Sequence, residues 1–387
     1  MAVHEYALLV VGGLEEVAIR SLQSECGLEC DMRTLPIPTL PKGMAAGPAG
    51  GVSAIMTSTE HPLPSLALSS PCLSASLAVV LQCELADSAD LQTIGELLRD
   101  GQGWRTALRT LNAHTKQQEV SASASFRVAS LRGGKHSFGS RELNEAVADV
   151  VGVHQPSWTV DLEQPDVCIV CRLLQQSLLI GLLLPPSISR KTDPLPAEHR
   201  SWLVGAERPH MRPSRAALCV RLLSPRDGEV WLDPCGGIGL LPIEAALLAR
   251  VRAFSIDTDR EACDAACANI AAAGSGLRGT VEVVCADALR PADELGVPPA
   301  GVDVVVADLP FGMLYRRLDV GALLVSLAKL LKPGGRCLLM GNAGPGGVAA
   351  AVCKASGRYP KGAWTLESQT SFAAGGVACA AVLLVRS

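Results

Sequence analysis

The sequence is poor in aromatic side chains, at 3%, and in charge, at 19% Asp, Glu, Lys and Arg. Sparse charge together with 48% hydrophobic residues excludes a chain that stays disordered, and the scarcity of rings leaves a core of small aliphatic side chains. An excess of positive charge is also missing. The net of -4 excludes a protein that is basic all over and confines any nucleic-acid surface to one face. The longest apolar run, near SLLIGLLLPP, is too short to span a bilayer. The opening MAVHEYALLVVGGLEE lacks a charged leader with a small-residue cleavage site, so the expected location is cytoplasmic or nuclear, not secreted. A second cysteine pair at zinc-ribbon spacing is absent as well. The single CxxC, Cys168 and Cys171 in DVCIVCRLL, sits in a strand-like run where residues three apart point to opposite faces. Free, buried thiols are expected there and no metal site.

What is present is alternation. At 387 residues, two or three domains are expected. EYALLVV (5–11) reads as a strand and GGLEEVAIRSLQSEC (12–26) as a glycine-mouthed helix. The Pro, Gly and Ala content of LPIPTLPKGMAAGPAGGVSA gives a long loop or insertion over 35–70. ADLQTIGELLRD is the clearest amphipathic helix that follows. SASFRVAS (123–130) reads as a strand, LRGGKHSFG as a loop and SRELNEAVADVVGV as a helix with Ser140 as N-cap. SWTVDLEQPDVCIVCRLL and QSLLIGLLL supply two more strands, closing a small α/β unit near Pro186. From Arg190 to Arg226 there are eight Lys or Arg against three acids, which reads as an exposed basic connector and a domain boundary. Beyond Glu229, EVWLDP, LLPIEAALLAR, RAFSID, REACDAACANIAAAG, TVEVVCAD and VDVVVAD alternate strand and helix, the pattern of a doubly wound parallel sheet. Ligands of such sheets bind outside the carboxyl ends of the strands.

Chemistry collects at those ends. In DPCGGIG (233–239), Gly237 and Gly239 let the turn approach a ligand closely, whether NAD, a nucleotide or S-adenosylmethionine. Asp257 ends the next strand about 20 residues on, the spacing at which a carboxylate takes ribose hydroxyls. Asp287 in CADALR stands at the same rim, and Asp233 begins the turn. GxGxxG is not met, because Leu240, Leu241 and Pro242 follow Gly239. LLKPGGRCLLM and an antiparallel-looking last strand resemble class I methyltransferases instead. DLPFG (308–312) resembles the [DN]PP[FY] motif of amino-methyltransferases, with Leu309 in place of the first proline. Asp308 and the carbonyl of Leu309 or Pro310 would accept hydrogens from a base amine, and Phe311 would stack on its ring. Between Phe126 and Arg141 lie Arg127, Arg132, Lys135, Arg141 and His136 with no acid, a candidate phosphate-contacting patch.

RGGKHSFGSRE (132–142), GGLEEVA near the start and HMRPSRAALCVRLL (210–223), taken with DLPFG, resemble the THUMP-domain RNA guanosine-N2 methyltransferases. The resemblance implies an α/β fold: a ferredoxin-like region (1–82), a THUMP RNA-binding domain (83–186), a basic linker (187–215) and a class I, Rossmann-like methyltransferase domain (216–387). It implies S-adenosyl-L-methionine held by Asp233, Gly237, Gly239, Asp257 and Asp287, and a guanine held by Asp308, Pro310 and Phe311. Arg127, Arg132, Lys135, His136, Arg141 and Arg212 would contact RNA, either tRNA or, as second choice, a spliceosomal small nuclear RNA. A small zinc-ribbon activator subunit is the implied protein partner. Two other readings stay open: an amino-methyltransferase acting on protein glutamine or DNA adenine, and an RNA-binding protein on a non-catalytic methyltransferase scaffold. Leu309, and Met313 where relatives carry a basic residue, keep the last in view; the next cations are Arg316 and Arg317.

Overall fold

The computed structural model describes residues 3–35, 51–86, 90–115, 120–185, 188–190, 193–197, 200–204, 208, 210–310, 318–344, 346–355, 363–374 and 377–387. The chain divides into two compact units, Met1–Glu198 with Ala373–Val377, and His199–Phe372 with Ala378–Ser387.

In the first unit, β1 (His4–Val11), β2 (Met32–Leu35), β3 (Val52–Thr59), β4 (Ala75–Glu84), β5 (Ser125–Gly133), β6 (Thr159–Val160), β7 (Val167–Leu174) and β8 (Ser177–Leu183) form one sheet ordered 2-3-1-4-8-7-5-6. Its helices are α1 (Glu15–Cys26), α2 (Ser65–Leu68), α3 (Leu91–Leu98), α4 (Gly101–His114) and α5 (Ser140–His154), and β9 (Ile188–Arg190) pairs with β10 (Asp193–Ala197) apart from the sheet. Strands β7 and β8 are apolar and buried at nearly every position, as strands covered on both faces must be. Cys168 and Cys171 are buried within β7, and all fourteen cysteines are free thiols.

Three expectations need correction here. The segment 35–70 is not one loop: VSAIMTST forms β3, which pairs with both β1 and β2, and only 36–50 lies outside the described residues. Its alternation of small polar and apolar residues is too weak to read as a strand without its partners. The boundary expected after residue 82 falls inside β4, which pairs with β1 on one side and β8 on the other, so 1–82 and 83–186 share a sheet. Ser140 is not an N-cap but the first residue of α5; Gly139 caps it, its N–H donating to Glu142 Oε2 at 2.5 Å.

One buried cation fixes the shape of this sheet. Arg172 on β7 is fully buried, and its Nε donates to the Val52 carbonyl on β3 at 2.8 Å. Four strand spacings separate β7 from β3, about 19 Å on a flat sheet. The sheet therefore curls so that its inner face closes on itself, with Leu9, Ala54, Leu77, Val170 and Leu179 in one cluster. The two terminal nitrogens of Arg172 have no hydrogen-bond partner among the described residues. Burial brings its pKa down to about 10, against the opposing charges of Glu84 and Glu15. The cost of holding this charge dry operates below that pH, where the folded and unfolded chains are both cationic.

In the second unit, β11 (Val230–Asp233), β12 (Arg252–Asp257), β13 (Thr280–Cys285), β14 (Val302–Asp308), β15 (Leu331–Asn342), β16 (Trp364–Ala374) and β17 (Val377–Arg386) are ordered 13-12-11-14-15-17-16. The first five run parallel and β17 is antiparallel to β15. Helices α6 (Pro213–Leu222), α7 (Leu240–Leu248), α8 (Arg260–Ala273), α9 (Val320–Leu330) and α10 (Val348–Ala355) accompany them. Val305, Leu324, Leu327, Leu339 and Leu384 belong to one core cluster. Strand order reverses between β11 and β14, which makes the ends of these two strands a crevice for ligands.

The basic connector is not a free linker. Arg200 pairs with buried Glu244 at 2.9 Å, the Val204 N–H donates to Asn269 Oδ1 at 2.8 Å, and Arg208 pairs with Asp259 and Glu261. From Pro213 to Val220, α6 is buried at every position. The boundary expected at 215 thus cuts a core helix; its arginines had made the segment read as exposed.

Arg172→Met keeps the length of the side chain and removes the dry charge. Chemical denaturation at pH 7.5 is expected to give a stability gain of about 1–3 kcal/mol; a loss of that size would show that the guanidinium is a net stabiliser.

Candidate active site

Four carboxylates meet at the carboxyl ends of the parallel strands. Asp233, Asp257 and Asp308 are the last residues of β11, β12 and β14, and Asp287 stands two residues beyond β13. The turn between β11 and α7 is built around them. Asp233 Oδ1 accepts the Cys235 N–H at 3.0 Å, and the Gly236 N–H donates to the Ile256 carbonyl at 2.8 Å. Asp257 then accepts the Gly237 N–H on Oδ2 at 2.8 Å and the Asp259 N–H on Oδ1 at 2.9 Å. Asp259, not Asp257, caps α8.

The glycines have separate tasks. A Cβ on Gly236 would lie 2.1 Å from Ser255 Oγ and 3.2 Å from Ser255 Cα, so this residue lets the turn press onto β12. Gly237, at φ +52°, has nothing within 4 Å of where its Cβ would be, so it opens the turn to a ligand. Gly239, at φ +84°, leads into α7. Exposed Asp287 accepts the Leu289 N–H at 2.9 Å.

Electrostatics make the turn a place for positive charge. Burial raises the pKa of Asp233 well above the usual carboxylate range, opposed by its bond from Cys235 and reinforced by Asp257 and Asp308. Burial raises the Cys235 thiol too, with further upward pushes from Asp233, Asp257, Asp308 and Asp287. All four carboxylates therefore act at one point. Burial also raises Asp308, against Arg215.

Beyond Asp308, the Leu309 N–H donates to the Met340 carbonyl at 3.0 Å and its side chain is buried in the core, so a hydrophobe fits where the motif has its first proline. Pro310 follows; Phe311, and with it Met313, Arg316 and Arg317, lies outside the described residues.

The sequence-derived basic patch is less uniform. Arg127 is 5% exposed and donates to the Leu162 carbonyl at 3.3 Å, so it is not part of an exposed surface: its strand position turns it inward. Arg132 donates to His136 Nδ1 at 3.3 Å and lies over the Phe138 ring, while His136 stacks on the same ring. With Nδ1 accepting, His136 Nε2 carries the hydrogen donated to the Gln175 carbonyl at 2.8 Å. Lys135 is exposed, and Arg141 pairs with Glu145 at 2.7 Å. Arg212 belongs to the second unit, as N-cap of α6. Sequence reasoning passed over Cys235, Gly236, Arg215 and Phe372; only the adjacency of Gly236 to Gly237 was visible in the chain.

Residues 107–183 match the THUMP domain family, and residues 200–333 match the RMKL-like methyltransferase domain family. The chain carries a THUMP domain followed by a methyltransferase domain. The THUMP match begins within α4. A tRNA (guanine(6)-N2)-methyltransferase of Methanocaldococcus jannaschii is 27% identical over 136 residues, 34% of this chain and 34% of that protein. The U6 snRNA (guanine-N(2))-methyltransferase THUMPD2 of Bos taurus is 26% identical over 201 residues, 51% of this chain and 37% of that protein. The corresponding tRNA enzyme of Archaeoglobus fulgidus is 26% identical over 247 residues, 55% and 58% of the two chains. The matches thus span between a third and somewhat over half of these curated relatives. Among solved structures, TrmN from Thermus thermophilus has the same fold over 99% of this chain and 100% of its own, with TM-score 0.68 and 22% identity. SMU.472, a putative methyltransferase complexed with SAH, does so over 99% and 98%, with TM-score 0.59 and 11% identity. The chain therefore shares the fold of these two structures.

Because folding raises the pKa of Asp233, its contribution to stability is complete below the unfolded value and is lost as pH rises toward the folded one. Asp233→Asn keeps an oxygen for the Cys235 N–H and cannot ionise. Its melting temperature at pH 7.5 is expected to exceed that of the parent by about 2 °C or more, with the gap closing toward pH 4; a lower value at pH 7.5 and an unchanged gap at pH 4 would contradict the assignment.

Proposed function

We propose that this chain transfers a methyl group from S-adenosylmethionine to the exocyclic N2 of a guanosine in a structured RNA, forming N2-methylguanosine. The observation that carries this reading is the placement of Asp233, Asp257 and Asp308 at the ends of neighbouring parallel strands, with Asp287 two residues beyond β13, and with Leu309 and Pro310 following Asp308 directly. The site fits the cofactor: Gly237 leaves open space beside Asp257, and a rim that carries Asp257 and Asp287 favours a cation. When bound, S-adenosylmethionine supplies a methyl group on a positively charged sulfur.

The chain's own residues prepare the acceptor. The N2 amine of guanine is planar, with its lone pair delocalised into the ring. Asp308 accepts one amine hydrogen and the carbonyl of Leu309 or Pro310 the other, which concentrates electron density on N2 and fixes its direction, and the proton that N2 loses on methylation passes to Asp308. Phe311 is assigned to the face of the base. Arg132 and Lys135 of the THUMP domain are assigned to phosphates; His136, expected to join them, has both ring nitrogens engaged and instead holds Arg132, and Arg141 is available where its pairing with Glu145 gives way.

Transfer RNA is the first-choice substrate and a spliceosomal small nuclear RNA the second, in keeping with the substrates for which the relatives are named. A small zinc-ribbon activator subunit belongs to the same reading, and a location in cytoplasm or nucleus follows from the substrate. Among the described residues no helix is long and apolar enough to cross a membrane.

Purified protein is incubated with methyl-labelled cofactor and separate pools of tRNA, small nuclear RNA, DNA and protein, and the nucleosides are resolved by mass spectrometry. Label in N2-methylguanosine is expected. Label confined to protein glutamine or DNA adenine would overturn the reading. Asp308→Ala should lower the rate by about 100-fold or more while RNA affinity stays within about 2-fold; full activity in that variant would remove Asp308 from the chemistry.

A further inference from the structure

Arg215 is unusual in this domain. It lies in the first turn of α6, is only 8% exposed, and holds its guanidinium over the ring of Phe372 at 5.9 Å from the centroid. Phe372, on β16, is itself 6% exposed. No ion pair or side-chain hydrogen bond to Arg215 occurs among the described residues. None of its nitrogens is among the buried side-chain atoms that lack a partner, so the five donors of this guanidinium stay open to a ligand.

The surroundings indicate where those donors point. Cys219, one turn further along α6, is fully buried, and Cys379 on β17 is 1% exposed. The charge of Arg215 and that of Asp308 act on both thiols, and Arg215 acts on Asp308. The two charged groups thus share one neighbourhood without forming an ion pair. Asp308 keeps its oxygens for an amine, and the fork of Arg215 is left for a second partner. The guanidinium carbon lies 5.9 Å from the Phe372 centroid, and a guanidinium resting on a ring face keeps its in-plane N–H groups for other partners.

Resting on the reading given above, we propose that Arg215 donates to O6 and N7 of the same guanine whose N2 amine Asp308 holds. These two acceptors sit side by side on one edge of the base and match the fork of an arginine. Adenine places an amine donor where guanine has O6, so it would meet Arg215 donor against donor. Arg215 is therefore the residue that selects guanine over bases carrying a 6-amine.

The test uses the full-length protein and the RNA in which the methylated guanosine has been mapped. That guanosine is replaced by 2,6-diaminopurine, which keeps the N2 amine and exchanges O6 for an amine, or by 7-deazaguanine, which removes N7. For the parent protein, kcat/KM is expected to fall about 10-fold or more with diaminopurine and by a smaller factor with the deaza base. Arg215→Met should lose activity on guanosine yet treat guanosine and diaminopurine within about 3-fold of each other, while Arg215→Lys keeps part of the preference. Cofactor affinity and melting temperature of each variant report its folding. A parent that methylates all three RNAs equally, or an Arg215→Met protein that keeps the full preference, overturns this inference and leaves the methyl-transfer reading standing. A parent that forms no N2-methylguanosine on any RNA overturns both.

Discussion

The second unit depends on one constraint: parallel strands deliver their last residues to a common rim. A carboxylate that ends one strand then stands beside the carboxylate that ends the next, and like charges accumulate in a partly dry place. Backbone N–H groups of Cys235, Gly237, Asp259 and Leu289 hold Asp233, Asp257 and Asp287 in place. Burial raises the Cys235 thiol, and Asp233, Asp257, Asp308 and Asp287 each push it further up. A cationic ligand relieves that repulsion, so the same arrangement that burdens the free protein favours the bound one.

Much of this was legible in the chain because it is local. Apolar runs such as VDVVVAD and RAFSID end in an acid and are followed by glycine or a helix, so strand, rim and ligand edge can be read together. What escaped reading depends on contacts between distant segments. β3 became a strand because β1 and β2 pair with it, although VSAIMTST carries little β signal of its own. The basic connector looked exposed because its arginines were counted as surface charge. Arg200 and Arg208 find carboxylates on α7 and α8, and Arg215 finds a ring on β16. The Arg215–Phe372 stack joins residues far apart in the chain and leaves no mark in either neighbourhood.

The THUMP-containing unit follows different physics. Its sheet closes on an apolar interior beside the dry Arg172, and its basic loop is partly occupied with itself. Arg132, His136 and Phe138 form a small stack pinned to the Gln175 carbonyl. A count of cations along 126–141 overstates the free positive surface, because Arg127 is buried and Arg141 is paired. The loop offers preformed geometry around an exposed Lys135 and a ring-stacked arginine, a shape suited to nucleotide phosphates.

The claim most open to direct measurement is that the acidic rim is a cofactor site. Isothermal titration of S-adenosylmethionine into the parent protein and into Asp257→Ala is predicted to give one site in the parent and affinity weaker by about 10-fold or more in the variant. Equal affinity in the two proteins, or no binding to the parent, would contradict the account.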